Sequence, residues 1–263
     1  MKSILYAEHS WPEIKEMADQ DKVLLLPIGS VEQHGLHLPL ELDSLTAFEM
    51  SKKAALGSNG IALVMPPIYY TYTGNQMDFP GSVDVDPNHI INYLFDICKS
   101  VTQHGFRRII LVSGHGGNTP YLTIVSQKVT NNTPALCCGF EYWDLAREKV
   151  SKIISHECHA GELETSLLLA LKPEVVDMSK AEKDMNIYMN QSESKWSWAN
   201  FMKRAPVNFE YRWSTFSKTG TLGDPTIATK EKGEQIIDAI TEDFVGYIKE
   251  FKNRKFYDLV DHH

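Results

Sequence analysis

Three short apolar runs, Val23–Ile28, Ile61–Met65 and Arg108–Ser113, constrain this chain more than any other feature. Each is almost continuously apolar, the pattern of a strand buried on both faces. A fourth and weaker run covers Ala135–Phe140, and helix-like patterns fill the gaps at Ser44–Leu56, Pro87–His104 and Thr119–Thr130. This alternation predicts an α/β chain, a three-layer α/β/α sandwich with a mainly parallel sheet. Thr119–Pro120 reads as a capping hydroxyl followed by proline at the first helical position. Two later helices read over Gly161–Leu171, which opens with acidic residues, and about Thr229–Phe251, which carries Ile236, Ile237, Ile240, Phe244 and Ile248 at helical spacing.

All 263 residues fit one domain of this class, 1–263. Residues at about 184–218 stand apart as an aromatic-rich insert (Tyr188, Trp196, Trp198, Phe201, Phe209, Tyr211, Trp213 and Phe216) with no clean period. It reads as a lid, a subunit contact or a second hydrophobic patch. A formal charge of −8 argues against nucleic acid or an anionic membrane as partner. No run approaches the roughly 18 apolar residues of a membrane span. The amino terminus meets His9 and Pro12 before any apolar core develops, so it does not read as a signal peptide. Four cysteines, Cys98, Cys137, Cys138 and Cys158, have no CxxC spacing and read as reduced thiols, consistent with a cytoplasmic protein.

In a parallel sheet, ligands bind beyond the carboxyl ends of the strands, so the chemistry should follow each run. Glu32 and His34 come just after the first, two residues apart, which points both to one side of an extended segment. Asp43 returns nine residues later on a compact loop. A carboxylate, an imidazole and a second carboxylate suit zinc, manganese or iron. After the third run, His115 lies in Ser113-Gly114-His115-Gly116-Gly117-Asn118. The segment has no lysine and matches neither a Walker pattern nor GxGxxG, so a phosphate cradle is the weaker reading. His115 is better placed to ligate a metal or polarise a carbonyl, and the glycine amides to serve as oxyanion donors.

The third cluster runs from His156 to Ser166. Glu162 and Glu164 are about 200° apart around a helix, so only one can face a given metal. Glu164 shares its side with Leu167, Leu168 and Leu171, which suggests a semi-buried structural or outer-shell role and leaves Glu162 as the freer ligand. His159, just before the helix, reads as a proton shuttle, or as a capping or surface residue.

Together, GSVEQHGLHLPLELD, SGHGGN, HAGELETS, Gly220-Thr221-Leu222-Gly223-Asp224-Pro225 and Ala228-Thr229-Lys230-Glu231-Lys232-Gly233 resemble the creatininase (creatinine amidohydrolase) family. The likeness is closer to its wider membership than to creatininase itself. It implies the same sandwich fold, two divalent metal ions per subunit (Zn first, Mn or Fe as alternatives) and a homo-oligomer, often a hexamer. It implies Glu32 and His115 on one metal, His34 on the other, Asp43 bridging, and His159 transferring the proton. Three positions depart from creatininase. Gly117 replaces a metal-binding glutamate, which makes Glu162 the expected replacement ligand and part of the catalytic set. Ser155 replaces a tryptophan, and Gln76 stands where many members have histidine in the substrate loop Tyr72–Gly81.

The expected reaction is metal-assisted hydrolysis of a non-standard C–N amide bond, in a cyclic amide or a formamide, by a hydroxide bridging two metals. The family also holds a formamidopyrimidine deformylase and a peptidase that trims a modified peptide, and either chemistry is an alternative. So is a catalytically silent metal-binding protein.

Overall fold

The structure, a computed structural model, describes residues 3–154, 157–185, 194–200, 202–207 and 211–256. Four strands form one parallel sheet: β1 (Val23–Ile28), β2 (Ala62–Val64), β3 (Arg108–Ser113) and β4 (Leu136–Glu141). They lie in the order β2-β1-β3-β4, with Ile28 level with Ser113 and Ser113 level with Glu141. The carboxyl ends of β1, β3 and β4 therefore finish on one line.

The helices are α1 (Trp11–Asp19), α2 (Leu42–Gly57), α3 (Pro87–Gln103), α4 (Thr119–Asn132), the single turn α5 (Arg147–Val150), α6 (Glu162–Leu171) and α7 (Lys230–Asn253). Side chains alternate across the strands and so divide the core in two. Val23, Leu25, Ile110 and Val112 pack with Met50 of α2, Leu163 and Leu167 of α6, and Ile236 and Phe244 of α7. Leu24, Leu26, Ile109 and Leu111 face Ile14 of α1, Leu94 of α3 and Val125 of α4 on the other side. This is the predicted three-layer α/β/α sandwich. Each fully buried leucine or isoleucine contributes about 1.5–3 kcal/mol to holding the layers.

Three local expectations change. Helix α1 escaped the sequence reading; Ser10 and Glu13 form a capping box at its start, with Pro12 in the first turn. Asp43 is not in a loop but in the first turn of α2, where the helix dipole favours a carboxylate. Helix α4 is capped at Asn118 rather than Thr119, and the Thr119 hydroxyl donates instead to Glu141 at the end of β4.

Of the aromatic insert, Trp196, Trp198, Tyr211, Trp213 and Phe216 are described; Tyr188, Phe201 and Phe209 lie outside the described residues, as do Ser155 and His156. The described parts hold a 3-10 turn at Trp213–Thr215 but no α-helix or strand.

Candidate metal centre and active-site cavity

Two glycines bring the start of α2 onto the strand ends. A Cβ on Gly29 would fall 2.2 Å from the Ser44 amide nitrogen, and one on Gly114 would fall 2.1 Å from the Asp43 carbonyl oxygen. With both side chains absent, the first turn of α2 settles between β1 and β3 and delivers Asp43 to the middle of the site.

Asp43 faces two imidazoles with two different oxygens. Oδ1 lies 3.0 Å from His34 Nε2, and Oδ2 lies 3.1 Å from His115 Nδ1. Ser30 donates its hydroxyl to Oδ2 at 2.7 Å. Glu32 Oε1 lies 3.3 Å from His115 Nδ1 and 3.7 Å from His159 Nδ1. Three groups of candidate ligands result: Glu32 with Asp43 and His115, His34 with Asp43 and Glu164, and Glu32 with His34 and His159. All six side chains are buried.

The imidazoles share one device. The proton on the far nitrogen of each ring goes to a main-chain carbonyl: His34 Nδ1 to Glu32 at 3.1 Å, His115 Nε2 to Tyr72 at 3.0 Å, and His159 Nε2 to Gln33 at 2.7 Å. That leaves His34 Nε2, His115 Nδ1 and His159 Nδ1 as lone-pair atoms turned toward the carboxylates, the orientation of metal-ligating histidines. Glu32 Oε2 and His34 Nε2 are buried without a hydrogen-bond partner, because Asp43 approaches His34 out of line for one. Orphaned acceptors converging beside three carboxylates fit a bound divalent cation.

Without a cation the carboxylates draw protons onto two of these ring nitrogens instead. Burial alone would lower His34, but the Asp43 charge, with Glu164 and Glu32 behind it, carries it up to about 10. His115 is likewise raised well above its usual range, against burial, by Glu32 and Asp43. Burial moves His159 the other way, helped by the neighbouring His34, and keeps it neutral.

The structure brings together five of the six expected residues, Glu32, His34, Asp43, His115 and His159, and leaves Glu162 out. The Glu162 carboxylate is tied to the Lys232 ammonium on α7 and belongs to none of the three ligand groups. Its place is taken by Glu164, whose Oε2 lies 3.9 Å from His34 Nε2 while accepting the Ala160 amide at 2.5 Å. The leucine-rich side of α6 runs directly into the buried site, so the residue sharing that side is the one delivered to it. Glu157 fixes this start of the helix, accepting from the Gly161 and Leu163 amides at 2.9 and 3.0 Å. The glutamate missing at Gly117 has a steric reason here: a Cβ there would stand 2.4 Å from His115 Nε2, the atom bonded to Tyr72.

The centre contributes to the lining of a cavity of about 550 Å³ through Glu32, Asp43, His115, His159 and Glu164. Tyr72, Tyr121, Trp198, Tyr211, Trp213 and Phe216 supply its aromatic walls. The Trp213 ring meets the edge of His159 at 5.0 Å, and its indole N–H donates to the Gly220 carbonyl at 2.8 Å. The expectations for Trp198 and Trp213 were open; both line this cavity.

The creatininase family model (creatinine amidohydrolase) matches residues 7–248. The chain belongs to this family. It is similar to the creatinine amidohydrolase of Pseudomonas putida, with 27% identity over 95% of this chain and 97% of the relative. It is also similar to the mycofactocin precursor peptide peptidase of Mycobacterium ulcerans, 29% identical over 91% of this chain and 85% of that one. Among solved structures, a manganese form described as "Creatininase Mn" superposes with a TM-score of 0.80 at 26% identity, covering 96% of this chain and all of the other. A variant creatininase of "Zn-Zn type" gives 0.79 at 26%, covering 97% of this chain and all of the other. This creatininase-family chain is thus a hydrolase of the amidohydrolase kind, with a donor set suited to divalent metal. Among the described residues no helix is long and apolar enough to cross a membrane.

Proposed function

We propose that the protein hydrolyses a non-standard C–N amide bond, in a cyclic amide or a formamide, at a centre of two divalent metal ions. Asp43 carries this reading, because its two oxygens address two separate imidazoles at 3.0 and 3.1 Å. Glu32, Asp43 and His115 would hold one ion; His34, Asp43 and Glu164 would hold the other. Zinc fits these donors best, with manganese or iron as alternatives. Bound there, divalent ions lower the pKa of water toward ~7 and polarise the scissile carbonyl.

The chain's own residues do the rest. Carboxylates on both sides of the centre fix its geometry, and the aromatic walls keep bulk water from the amide. Gly116 and Gly117 expose backbone to the cavity beside the reacting carbonyl. His159, neutral and anchored through Nε2, presents Nδ1 toward Glu32. From there it takes a proton from the attacking water and returns it to the leaving nitrogen, whose expulsion as an amide anion would be prohibitively slow. A general acid of this kind contributes about 10²–10⁴-fold.

A homo-oligomer belongs to the same reading, and exposed Leu36, Tyr70 and Met77 offer apolar surface for one. The test is metal analysis followed by a hydrolysis screen over creatinine and other cyclic ureas, N-formyl compounds and short peptides. Turnover of a cyclic or formyl amide that stops on chelation and returns with zinc or manganese is the expected result. Cleavage of peptides alone would move the activity to the peptidase branch. A metal-loaded protein inactive on every class would make it a silent binding protein.

A further inference from the structure

The cavity is far larger than the metal centre needs, and at about 550 Å³ it has the size of sites that take drug-sized ligands. Arg204 is the single lysine or arginine among the residues lining it. A free arginine side chain is mobile, but this one is held. Its Nη2 contacts Asp144 Oδ2 at 2.6 Å and Glu141 Oε2 at 3.1 Å. Both anchors are themselves fixed. Asp144 is also bound by Arg147, and Glu141, 5% exposed at the end of β4, accepts the Thr119 hydroxyl. The two carboxylates and two guanidiniums sum to zero charge, so the cluster does not repel an incoming anion as a whole.

Both contacts use Nη2. Among the described residues, Nε–H and the two hydrogens of Nη1 meet no acceptor. The side chain is 45% exposed, with those donors left for a ligand. Charge-assisted bonds from a pre-held guanidinium to an oxyanion are strong because little freedom is lost in forming them.

We infer that Arg204 is a specificity-determining residue that receives an oxyanion of the substrate, a carboxylate or a phosphate monoester, in the same cavity as the scissile amide. Glu141 and Asp144 orient its guanidinium. The inference deepens the amidohydrolase reading and rests on it for the scissile bond alone; the anion seat stands on Arg204.

The experiment measures binding by calorimetry to zinc-loaded full-length protein, with three series of N-formyl probes of increasing chain length. One series ends in a carboxylate, one in the matching methyl ester, and one in a phosphate monoester. Because each set shares its formamide end, any contact of that end with the metals cancels. Arg204→Gln should weaken the best carboxylate or phosphate probe about tenfold, the loss of one bond to a charged group, and leave the ester series within about twofold. Arg204→Lys should recover part of the discrimination, which a merely misfolded segment would not. The series that responds more identifies the anion. Equal losses for charged and neutral probes would overturn the proposal. So would tighter binding of a guanidinium-ended probe in Arg204→Gln, which would give the seat to Glu141. If Arg204 discriminates but no formamide, cyclic amide or peptide is ever hydrolysed, the amidohydrolase reading fails and the anion seat survives.

Discussion

Two parts of the cavity lining, the metal centre and the surroundings of Arg204, are built by different means. Around the metal centre, the candidate ligands follow strand ends or lie in or just before a first helical turn, all are buried, and each of the three imidazoles is anchored to a main-chain carbonyl. Around Arg204, the guanidinium comes from a segment without α-helix or strand, is partly exposed, and is held by the side chains of Glu141 and Asp144. The contrast separates two tasks. Chemistry needs fixed distances, which the sheet supplies; selection among substrates needs walls that can differ without disturbing the sheet.

The sharpest way to break this contrast is at its centre. Asp43→Asn removes charge from both imidazoles and should abolish turnover and reduce bound metal, by more than the roughly 100-fold loss of affinity seen for outer-shell partners. Metal analysis after dialysis checks it, and full metal content in the variant would remove Asp43 from the bridging position. Next comes His159→Gln, which should retain metal but lower kcat by about 10²–10⁴-fold. Unchanged kcat would show that proton transfer lies elsewhere.

Glu164→Gln should cost about one metal per subunit, whereas Glu162→Gln should leave metal content intact. The second loses the ion pair between the buried Glu162 carboxylate and the one-third exposed Lys232 ammonium, so its effect should appear in the melting temperature and not in bound metal. The opposite result would return the fifth ligand to Glu162.

A smaller effect concerns pH in the metal-free protein. His34 is raised above its ordinary 6.5, so its contribution to stability is full below about 6.5 and is lost as pH rises through about 10. Glu164, pushed up by burial to about 7 despite the His34 charge, acts in the same direction from about 4.5 to 7. Melting temperatures in chelator should therefore fall between pH 6 and 10, and metal binding near pH 7 should release protons measurable by calorimetry in two buffers. A flat profile would show that these groups do not hold protons when the ion is gone.

How much of this could be read from the chain differs between the two parts as well. The strands β1 and β3 were legible to the residue, because both faces are buried and the apolar run admits no other period. Glu32, His34 and His115 follow those strands by two to six residues, so their placement came with them. Asp43 was found but assigned to a loop, since the sequence does not reveal that Gly29 and Gly114 make room for a helix start. Glu164 rather than Glu162 lies beside His34, because the apolar side of α6 faces the buried site while the Glu162 carboxylate turns to Lys232; the sequence reading treats that apolar side as structural and so looks to the other glutamate. Arg204 and Glu141 carried no local signal at all. They are 63 residues apart in sequence, and their meeting depends on a segment with neither helical nor strand period.

The carbonyl groups that take the imidazole protons have a further consequence. An acceptor made of backbone is the same whatever residue carries it, so the side chain at Tyr72 can be exchanged without retuning His115, whereas the Gln33 side-chain amide itself lies 3.0 Å from His159 Nε2 and is not free to change. Position 72 faces the cavity, which makes it a place where the pocket can be reshaped by mutation or by evolution while the ligand geometry is inherited unchanged. Substitution scans should find it permissive for metal binding and sensitive for substrate choice, with proline excepted wherever it would shift the carbonyl itself.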